Sequence, residues 1–226
     1  PRSLDFAQAA ARPLNSITSW ELLFDRLGVA PGKQHSDQSL LIVGAAGGVG
    51  SILTQLAHRL TGMRVIGTAS RPATAEWVRS LGADEVIDHS RPLAEELRRA
   101  GIPDVTHVAS LTMTDLHFPE IVEALAPQGR LALIDDPGPI DIGQLKRKSL
   151  SLHWELMFTR SLFGTADLAA QGRLLAEVAA LVDAGVLRST HQQTLGRIDA
   201  ATLRRAHALI ESGGSRGKVV LAGFGG

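Results

Sequence analysis

A glycine-rich turn at residues 44–50, Gly-Ala-Ala-Gly-Gly-Val-Gly, is the part of this chain best suited to binding a phosphate group. It follows the apolar run 40–43, which predicts a strand buried on both faces, as in a parallel sheet. The last three glycines let the backbone turn tightly and approach a ligand closely. A helix predicted over 51–60 would direct its unpaired amides and the positive end of its dipole at a bound anion. The turn therefore predicts a pyrophosphate site.

The residues after the second predicted strand indicate which nucleotide this site prefers. In dinucleotide-binding folds an acidic residue ~20 positions past the glycines binds the ribose 2′-hydroxyl of NAD, whereas an arginine suits the 2′-phosphate of NADP. Here Ser70 and Arg71 occupy that place, and no acidic residue follows until Glu76. A guanidinium pairs with a phosphate, and a hydroxyl donates to it. We predict NADPH rather than NADH; the alternative interpretation of Arg71 is an exposed residue at a helix start.

The elements around the turn alternate between strands and helices. Strands are predicted at residues 40–43, 64–69, 85–88, 105–110, 130–134 and 150–156, and helices at 17–27 (capped by Ser16), 51–60, 72–81, 91–100 and 118–125. This alternation with short loops indicates an α/β fold with a six-stranded, doubly wound parallel sheet, the Rossmann architecture. Beyond residue 160, helices are predicted at 166–184 and 199–212 and strands at 191–195 and 218–222. We predict a dinucleotide-binding domain at 1–160 and a C-terminal helical and strand segment at 161–226.

Composition narrows the function classes. Of the 226 residues, 44% are hydrophobic, the formal net charge is zero, and no run reaches the ~18 apolar residues of a membrane helix. We therefore expect no nucleic-acid partner, no membrane partner and a cytoplasmic location. The chain has no cysteine and no HExxH or paired-histidine spacing, so we expect no metal site and no cysteine nucleophile.

The spacing of the glycines fits two dehydrogenase classes. Counted from Gly44 it is GxxxGxG, the arrangement of short-chain dehydrogenases, which use a Tyr-x-x-x-Lys pair with tyrosine as general acid. Counted from Ala45 it is GxGxxG with alanine in the first place. Because the chain contains no tyrosine, the short-chain chemistry is excluded.

The remaining class is supported by a resemblance that covers most of the chain. Four stretches resemble the quinone-oxidoreductase branch of the medium-chain dehydrogenase/reductase superfamily: residues 16–23, 44–50, 80–89 and 217–221. Within it, residues 126–135 and 146–163 are similar to the group named zinc-type alcohol dehydrogenase-like proteins. The resemblance implies that a GroES-like N-terminal domain is absent from this chain, and that 161–226 normally completes the catalytic domain. Catalytic zinc in this superfamily uses cysteine ligands, so none is expected here.

The resemblance also implies cofactor contacts. The diphosphate is expected across Gly47, Gly48 and Val49. Thr18 corresponds to a small hydroxyl residue near the nicotinamide, with an ordinary helix threonine as the alternative. His89 corresponds to a position near the adenosine phosphate, with a surface histidine as the alternative.

Further contacts are expected where strands end, because ligands bind at the carboxyl edge of open parallel sheets. Leu111 and Thr112 follow the fourth predicted strand, and Ile134 ends the fifth. Asp135 beside it is interpreted as a capping residue rather than an acid or base. Phe163 is placed beside the cofactor by the resemblance, with a core phenylalanine as the alternative.

The function that the resemblance implies is NADPH-dependent transfer of hydride to a quinone or an α,β-unsaturated carbonyl. No catalytic residue can be named in this chain from its sequence. The alternative is a non-catalytic NADPH-binding module. Sheet edges of this superfamily pair across a two-fold axis, which implies a homodimer.

Overall fold

A six-stranded parallel sheet forms the centre of the molecule. The computed structural model describes residues 1–34 and 37–224. The strands are β1 Ser39–Val43, β2 Arg64–Thr68, β3 Glu85–Ile87, β4 Val105–Ser110, β5 Leu125–Leu133 and β6 Ser151–Trp154. Their order is β3-β2-β1-β4-β5-β6, with every neighbouring pair parallel. This is the strand order of doubly wound dinucleotide-binding folds, so the predicted fold class and strand number are confirmed.

Helices cover both faces of this sheet. They are α1 Phe6–Ala10, α2 Pro13–Trp20, a π-helical turn Glu21–Arg26, α3 Gly48–Leu60, α4 Pro72–Ser80, α5 Leu93–Arg99, α6 Thr114–Ala124, a 3₁₀ helix Ile142–Lys148, α7 Thr159–Phe163, α8 Ala170–Asp183 and α9 Ala200–Glu211. Two further strands, β7 His191–Thr194 and β8 Lys218–Val220, pair in parallel as a separate sheet. Among the described residues, none of these helices combines the length and apolar character needed to cross a membrane.

The core consists of two apolar clusters, one on each face of the sheet. Along β1, Leu40 and Ile42 belong to one cluster, and Leu41 and Val43 belong to the other. All four are at most 1% exposed, as expected of a strand that is covered on both faces. The first cluster also contains side chains of α8, so part of the segment after residue 160 packs on the same core. The division at 160/161 remains a prediction.

Four predicted helix starts are wrong by three or four residues, including those predicted at 51 and 166, where the helices begin at Gly48 and Ala170. The helix predicted to begin after Ser16 begins at Pro13, which is favourable at a first helical position, and Ser16 lies buried inside α2. The helix predicted from Phe118 begins at Thr114. Its first amide donates to Asp135, a carboxylate 21 residues later in the sequence. A cap supplied from so far along the chain leaves no local sequence signal.

Candidate functional site

The glycine-rich turn presents an open helix N-terminus. Gly47 is the N-cap of α3, and no side chain caps this end, so the first amides of the helix lack intrahelical partners. Gly50 packs directly on the turn, because a Cβ there would lie 2.5 Å from the carbonyl oxygen of Gly44. A larger residue would force the turn and the helix apart. The sequence thus builds a close-packed, anion-attracting helix end at this point.

A cavity of about 630 Å³ lies against this turn, within the usual range of small-molecule sites. Its lining includes eight of the eleven predicted cofactor-binding residues: Gly47, Gly48, Val49, Ser70, Arg71, His89, Leu111 and Thr112. The structure therefore brings together the turn, the end of β2, the residue after β3 and the residues after β4. No acidic residue is among the described residues that line the cavity, so an anion entering it meets no fixed negative charge on its walls.

Arg71 and Ser70 stand at the rim of the cavity, where β2 leads into α4. Both are exposed, as the alternative interpretation of Arg71 supposed, but Arg71 also lines the cavity. One of its terminal nitrogens, Nη2, donates to the carbonyl oxygen of Gly213 at 2.9 Å. The hydroxyl of Thr74 donates to the Arg71 carbonyl at 2.8 Å and holds this corner. The guanidinium therefore lies at the cavity mouth, and this hydrogen bond uses only one of its nitrogens.

His89 contacts the same end of β2. Its Nδ1 lies 3.2 Å from the hydroxyl oxygen of Thr68, which in turn accepts from the Gly44 amide at 3.1 Å. The His117 ring stands edge-on to it, with centroids 6.4 Å apart. Burial, and secondarily the charge of His117, lowers the pKa of His89 below its ordinary value. The ring is a half-buried part of the cavity wall.

One wall of the cavity is formed by the C-terminal segment. Ile210, Gly213, Ser215, Gly217, Lys218 and Val219 line it from the C-terminal segment. The Gly217 amide donates to the Ala46 carbonyl at 2.9 Å, which joins this segment to the turn. The sequence offers one signal for this wall: the basic pair Arg216 and Lys218 could reach the ribose phosphate, with a solvated pair beside the last strand as the alternative. Lys218 lines the cavity.

The N-terminal part of α2 turns polar side chains inward beside the turn. Arg12, Asn15 and Ser16 are each at most 5% exposed, and each has a side-chain nitrogen or oxygen without a partner among the described residues. The Ser19 hydroxyl donates to the Val49 carbonyl at 3.0 Å. Buried polar groups are normally hydrogen-bonded, so this is a place where a ligand could supply missing partners.

Three predicted residues lie outside the described lining of the cavity. Thr18 is buried, and its hydroxyl donates to the Leu14 carbonyl at 3.0 Å within α2. Ile134 is half-buried and packs on the core. Phe163 is 75% exposed at the end of α7, so the alternative of a core phenylalanine is wrong. Their contact with a cofactor remains a prediction.

A second group with unusual titration lies away from the cavity lining. Glu155, just after β6, is 3% exposed, and its Oε2 accepts from Arg26 Nε at 2.8 Å. Burial, then the neighbouring Glu21 carboxyl, raises the pKa of Glu155 to about 8. Glu21 forms an ion pair with Arg160 and accepts from Gln171 at 2.9 Å. These contacts join the π-helical turn to the segments after β6.

Metal ligands do not gather in the part of the chain that the structure describes. No group of three or more histidine, aspartate or glutamate side chains has a metal-binding arrangement there, and the sequence contains no cysteine. Asp135 instead accepts from the backbone amide of Thr114 at 2.9 Å and from its hydroxyl at 2.5 Å. Its interpretation as a capping residue is confirmed.

Comparison with known proteins gives a consistent result. Residues 81–221 match the family model described as zinc-binding dehydrogenase. A zinc-type alcohol dehydrogenase-like protein of Staphylococcus epidermidis is 34% identical over 223 residues, which are 98% of this chain and 66% of that protein. A crystal structure from Rhizobium etli CFN 42, assigned to the zinc-dependent alcohol dehydrogenases, is 56% identical with a TM-score of 0.94, covering all of this chain and 66% of that one.

The similarity extends to a quinone oxidoreductase. The Escherichia coli enzyme, solved in complex with NADPH, is 25% identical with a TM-score of 0.79 over 98% of this chain and 66% of that chain. The present chain thus spans 66% of the length of each of these three proteins.

Proposed function

The chain belongs to the zinc-binding dehydrogenase family of oxidoreductases, within the medium-chain dehydrogenase/reductase superfamily, and on that premise we propose that it is the cofactor-binding portion of an NADPH-dependent reductase. The proposed substrate is a quinone or an α,β-unsaturated carbonyl. The observation that carries the proposal is the cavity at the glycine-rich turn, with Arg71 and Ser70 at its mouth and no acidic residue among its described lining.

The residues present fit a dinucleotide phosphate. The open N-terminus of α3 suits the diphosphate, which we assign to Gly47, Gly48 and Val49. Ser70 and Arg71 would bind the 2′-phosphate, because a guanidinium and a hydroxyl are both donors to phosphate oxygens. The residues present do not fit a zinc ion, because the chain lacks cysteine and the described residues contain no group of three or more histidine, aspartate or glutamate side chains that could hold a metal. No step of the proposed reaction therefore involves a metal in this chain.

NADPH, when bound, would supply the hydride, and the residues of this chain would contribute its position and the polarity around it. Leu111 and Thr112 form a close wall beside the turn: a Cβ on Gly44 would lie 3.0 Å from Thr112 Cγ2 and 3.6 Å from Leu111 Cβ. A buried hydrogen bond between the hydroxyls of Ser110 and Thr114, 2.7 Å apart, joins the two ends of the loop after β4. This fixed wall would orient the reacting end of the cofactor.

Cofactor preference tests the proposal directly. Arg71→Ala should weaken NADPH binding about tenfold, since a charged hydrogen bond contributes ~1.5–3 kcal/mol, and should leave NADH binding unchanged. Binding is followed by fluorescence titration of each nucleotide. Arg79→Ala, which removes an exposed arginine from the last turn of the same helix, is the matched control. An Arg71→Ala protein that keeps its NADPH preference would refute the assignment.

The second candidate function, a non-catalytic NADPH-binding module, is favoured by one observation. Eight of the predicted cofactor-binding residues line one cavity of this chain, although the chain spans only 66% of its relatives' length. Consumption of NADPH with a panel of quinones and enones separates the two candidates. Turnover by this chain favours the reductase, and tight binding without turnover favours the module.

We also propose that β6 pairs with its counterpart in a second copy of the chain. β6 is an edge of the six-stranded sheet, and Trp154 at its end is 51% exposed. Such an edge is a template for pairing. Sedimentation velocity should show a dimer of the 24.0 kDa chain, and Trp154→Glu, which adds a charge at the edge, should shift it to monomer. A wild-type monomer at micromolar concentration would overturn this arrangement.

A further inference from the structure

Lys218 lies far from the glycine-rich turn in sequence but directly over it in space. Its Cδ is 2.7 Å from the position that a Cβ on Gly48 would occupy. Gly48 is the first residue of α3. The stem of the lysine therefore crosses the end of the helix at which a diphosphate would bind.

Two backbone hydrogen bonds hold Lys218 in this place. Its own amide donates to the Thr190 carbonyl at 2.9 Å, and the preceding Gly217 amide donates to the Ala46 carbonyl at 2.9 Å. Gly217 has a φ of +56°, and a Cβ there would collide with the Thr190 carbonyl oxygen. A glycine at 217 therefore permits the close backbone contact that brings Lys218 to the turn.

The ammonium of Lys218 is available for a ligand. None of the hydrogen bonds and ion pairs of the described residues uses its side chain, and no acidic residue is among the cavity lining that the structure describes. An unneutralised cation beside a helix N-terminus adds to the positive potential of the helix dipole.

Asn15 provides an independent sign of a ligand at the same point. It is 3% exposed, and its Nδ2 has no hydrogen-bond partner among the described residues. The same Nδ2 is 2.7 Å from the position of a Cβ on Gly48, on which Lys218 also converges. A buried amide donor without a partner is costly, and an anionic oxygen at the end of α3 would satisfy it.

We propose that Lys218 and Asn15 complete the diphosphate site by binding phosphate oxygens over Gly48. The inference rests on the proposed function, and it assigns the diphosphate three sources of donors: the turn, α2 and the C-terminal segment. NADPH and NADH share the diphosphate. Lys218 therefore contributes equally to both nucleotides, whereas Arg71 distinguishes them.

The test measures dissociation constants of NADPH, NADH and 2′-AMP for the wild-type protein and for the variants Lys218→Met, Lys218→Arg, Asn15→Ala and Arg71→Ala. Lys146→Met, at an exposed lysine of the 3₁₀ helix, is the matched control. Lys218→Met should weaken NADPH and NADH by the same factor, about tenfold. Lys218→Arg should stay within about threefold of wild type because it keeps the charge. Asn15→Ala should weaken both dinucleotides several-fold.

The ligand 2′-AMP separates a direct contact from damage to the cavity. It carries the 2′-phosphate but no diphosphate, so its affinity should be unchanged in Lys218→Met and lowered in Arg71→Ala. Equal losses for 2′-AMP and NADPH in Lys218→Met would mean that the cavity had collapsed, and would overturn the inference. Wild-type affinity for both dinucleotides in Lys218→Met would also overturn it, with the proposed function intact. A wild-type protein that binds no dinucleotide would refute the proposed function itself.

Discussion

The buried carboxyl of Glu155 should make the stability of this protein depend on pH in an unusual direction. Its side chain has no exposed surface, and Arg26 Nε contacts only Oε2. Oε1 has no donor within reach when both Glu155 and Glu21 are ionised. A proton on Glu155 would allow it to donate to Glu21. For this reason burial and the neighbouring carboxyl together raise the pKa of Glu155 from 4.5 to about 8 despite the attraction of Arg26.

The sign and size of the effect follow from proton linkage. Because the pKa is higher in the folded state, the folded protein holds a proton that the unfolded chain releases between about pH 4.5 and 8. Glu155 therefore lowers the free energy of unfolding as pH rises through this window, by ~1.36 kcal/mol per pH unit. Over the whole window the loss is at most about 5 kcal/mol, and above about pH 8 it stays constant.

The substitution Glu155→Gln isolates this contribution, because glutamine has the same shape and does not titrate. Urea unfolding of variant and wild type from pH 5 to 9 gives the difference in free energy of unfolding. This difference should grow in favour of the variant as pH rises toward 8 and then become level. Glu123→Gln, at an exposed partner of Arg98, is the control and should stay within ~0.5 kcal/mol at every pH. A Glu155→Gln difference that is flat from pH 5 to 9 would refute the reasoning.

Two further predictions concern the cavity. Burial lowers the pKa of His89 below its ordinary value of 6.5, so its ring gains a positive charge only at more acidic pH. The affinity for NADP⁺, measured by calorimetry, should therefore rise as the pH falls below 6.5, and this rise should be smaller in His89→Gln. The same dependence of affinity on pH in the wild type and in His89→Gln would contradict this role of His89. Gly50→Ala would place a Cβ 2.5 Å from the Gly44 oxygen and should lower the urea-unfolding free energy by ~1–3 kcal/mol and NADPH affinity at least tenfold. Gly172→Ala in α8, where a Cβ meets open space, should instead be neutral or stabilising by up to ~1 kcal/mol; equal losses in both variants would contradict the packing argument.

Local pattern was sufficient to predict the parts of the fold that depend on neighbours in sequence. The four apolar residues of β1 could be assigned to a two-sided core because no polar face was possible, and the structure distributes them alternately to the two clusters. Ser70 and Arg71 could be placed at a ligand edge because β2 must end there in a parallel sheet. The cavity contains both.

Features that depend on distant partners left no such pattern. The start of α6 is fixed by a hydrogen bond to Asp135. The position of Lys218 is fixed by backbone hydrogen bonds to the carbonyls of Thr190 and Ala46. The helix predicted to run continuously to residue 27 changes to π-helical geometry at Glu21. At this point Glu21 forms an ion pair with Arg160 and accepts a hydrogen bond from Gln171, both of which lie far along the chain. In each case the deciding contact is a polar side chain or backbone group whose partner lies far away in the sequence.

Arg71 links the candidate cofactor site to the C-terminal segment without using all of its donors. Only Nη2 of its guanidinium is used by the Gly213 carbonyl, and a guanidinium has five N–H donors. A phosphate can therefore bind Arg71 without displacing Gly213. The Gly217 amide donates to the Ala46 carbonyl at 2.9 Å, so this N–H is already used within the protein. A phosphate and the Gly213 carbonyl thus use different N–H groups of Arg71, so a ligand that binds the cavity should stabilise the contact between Arg71 and the C-terminal segment rather than compete with it.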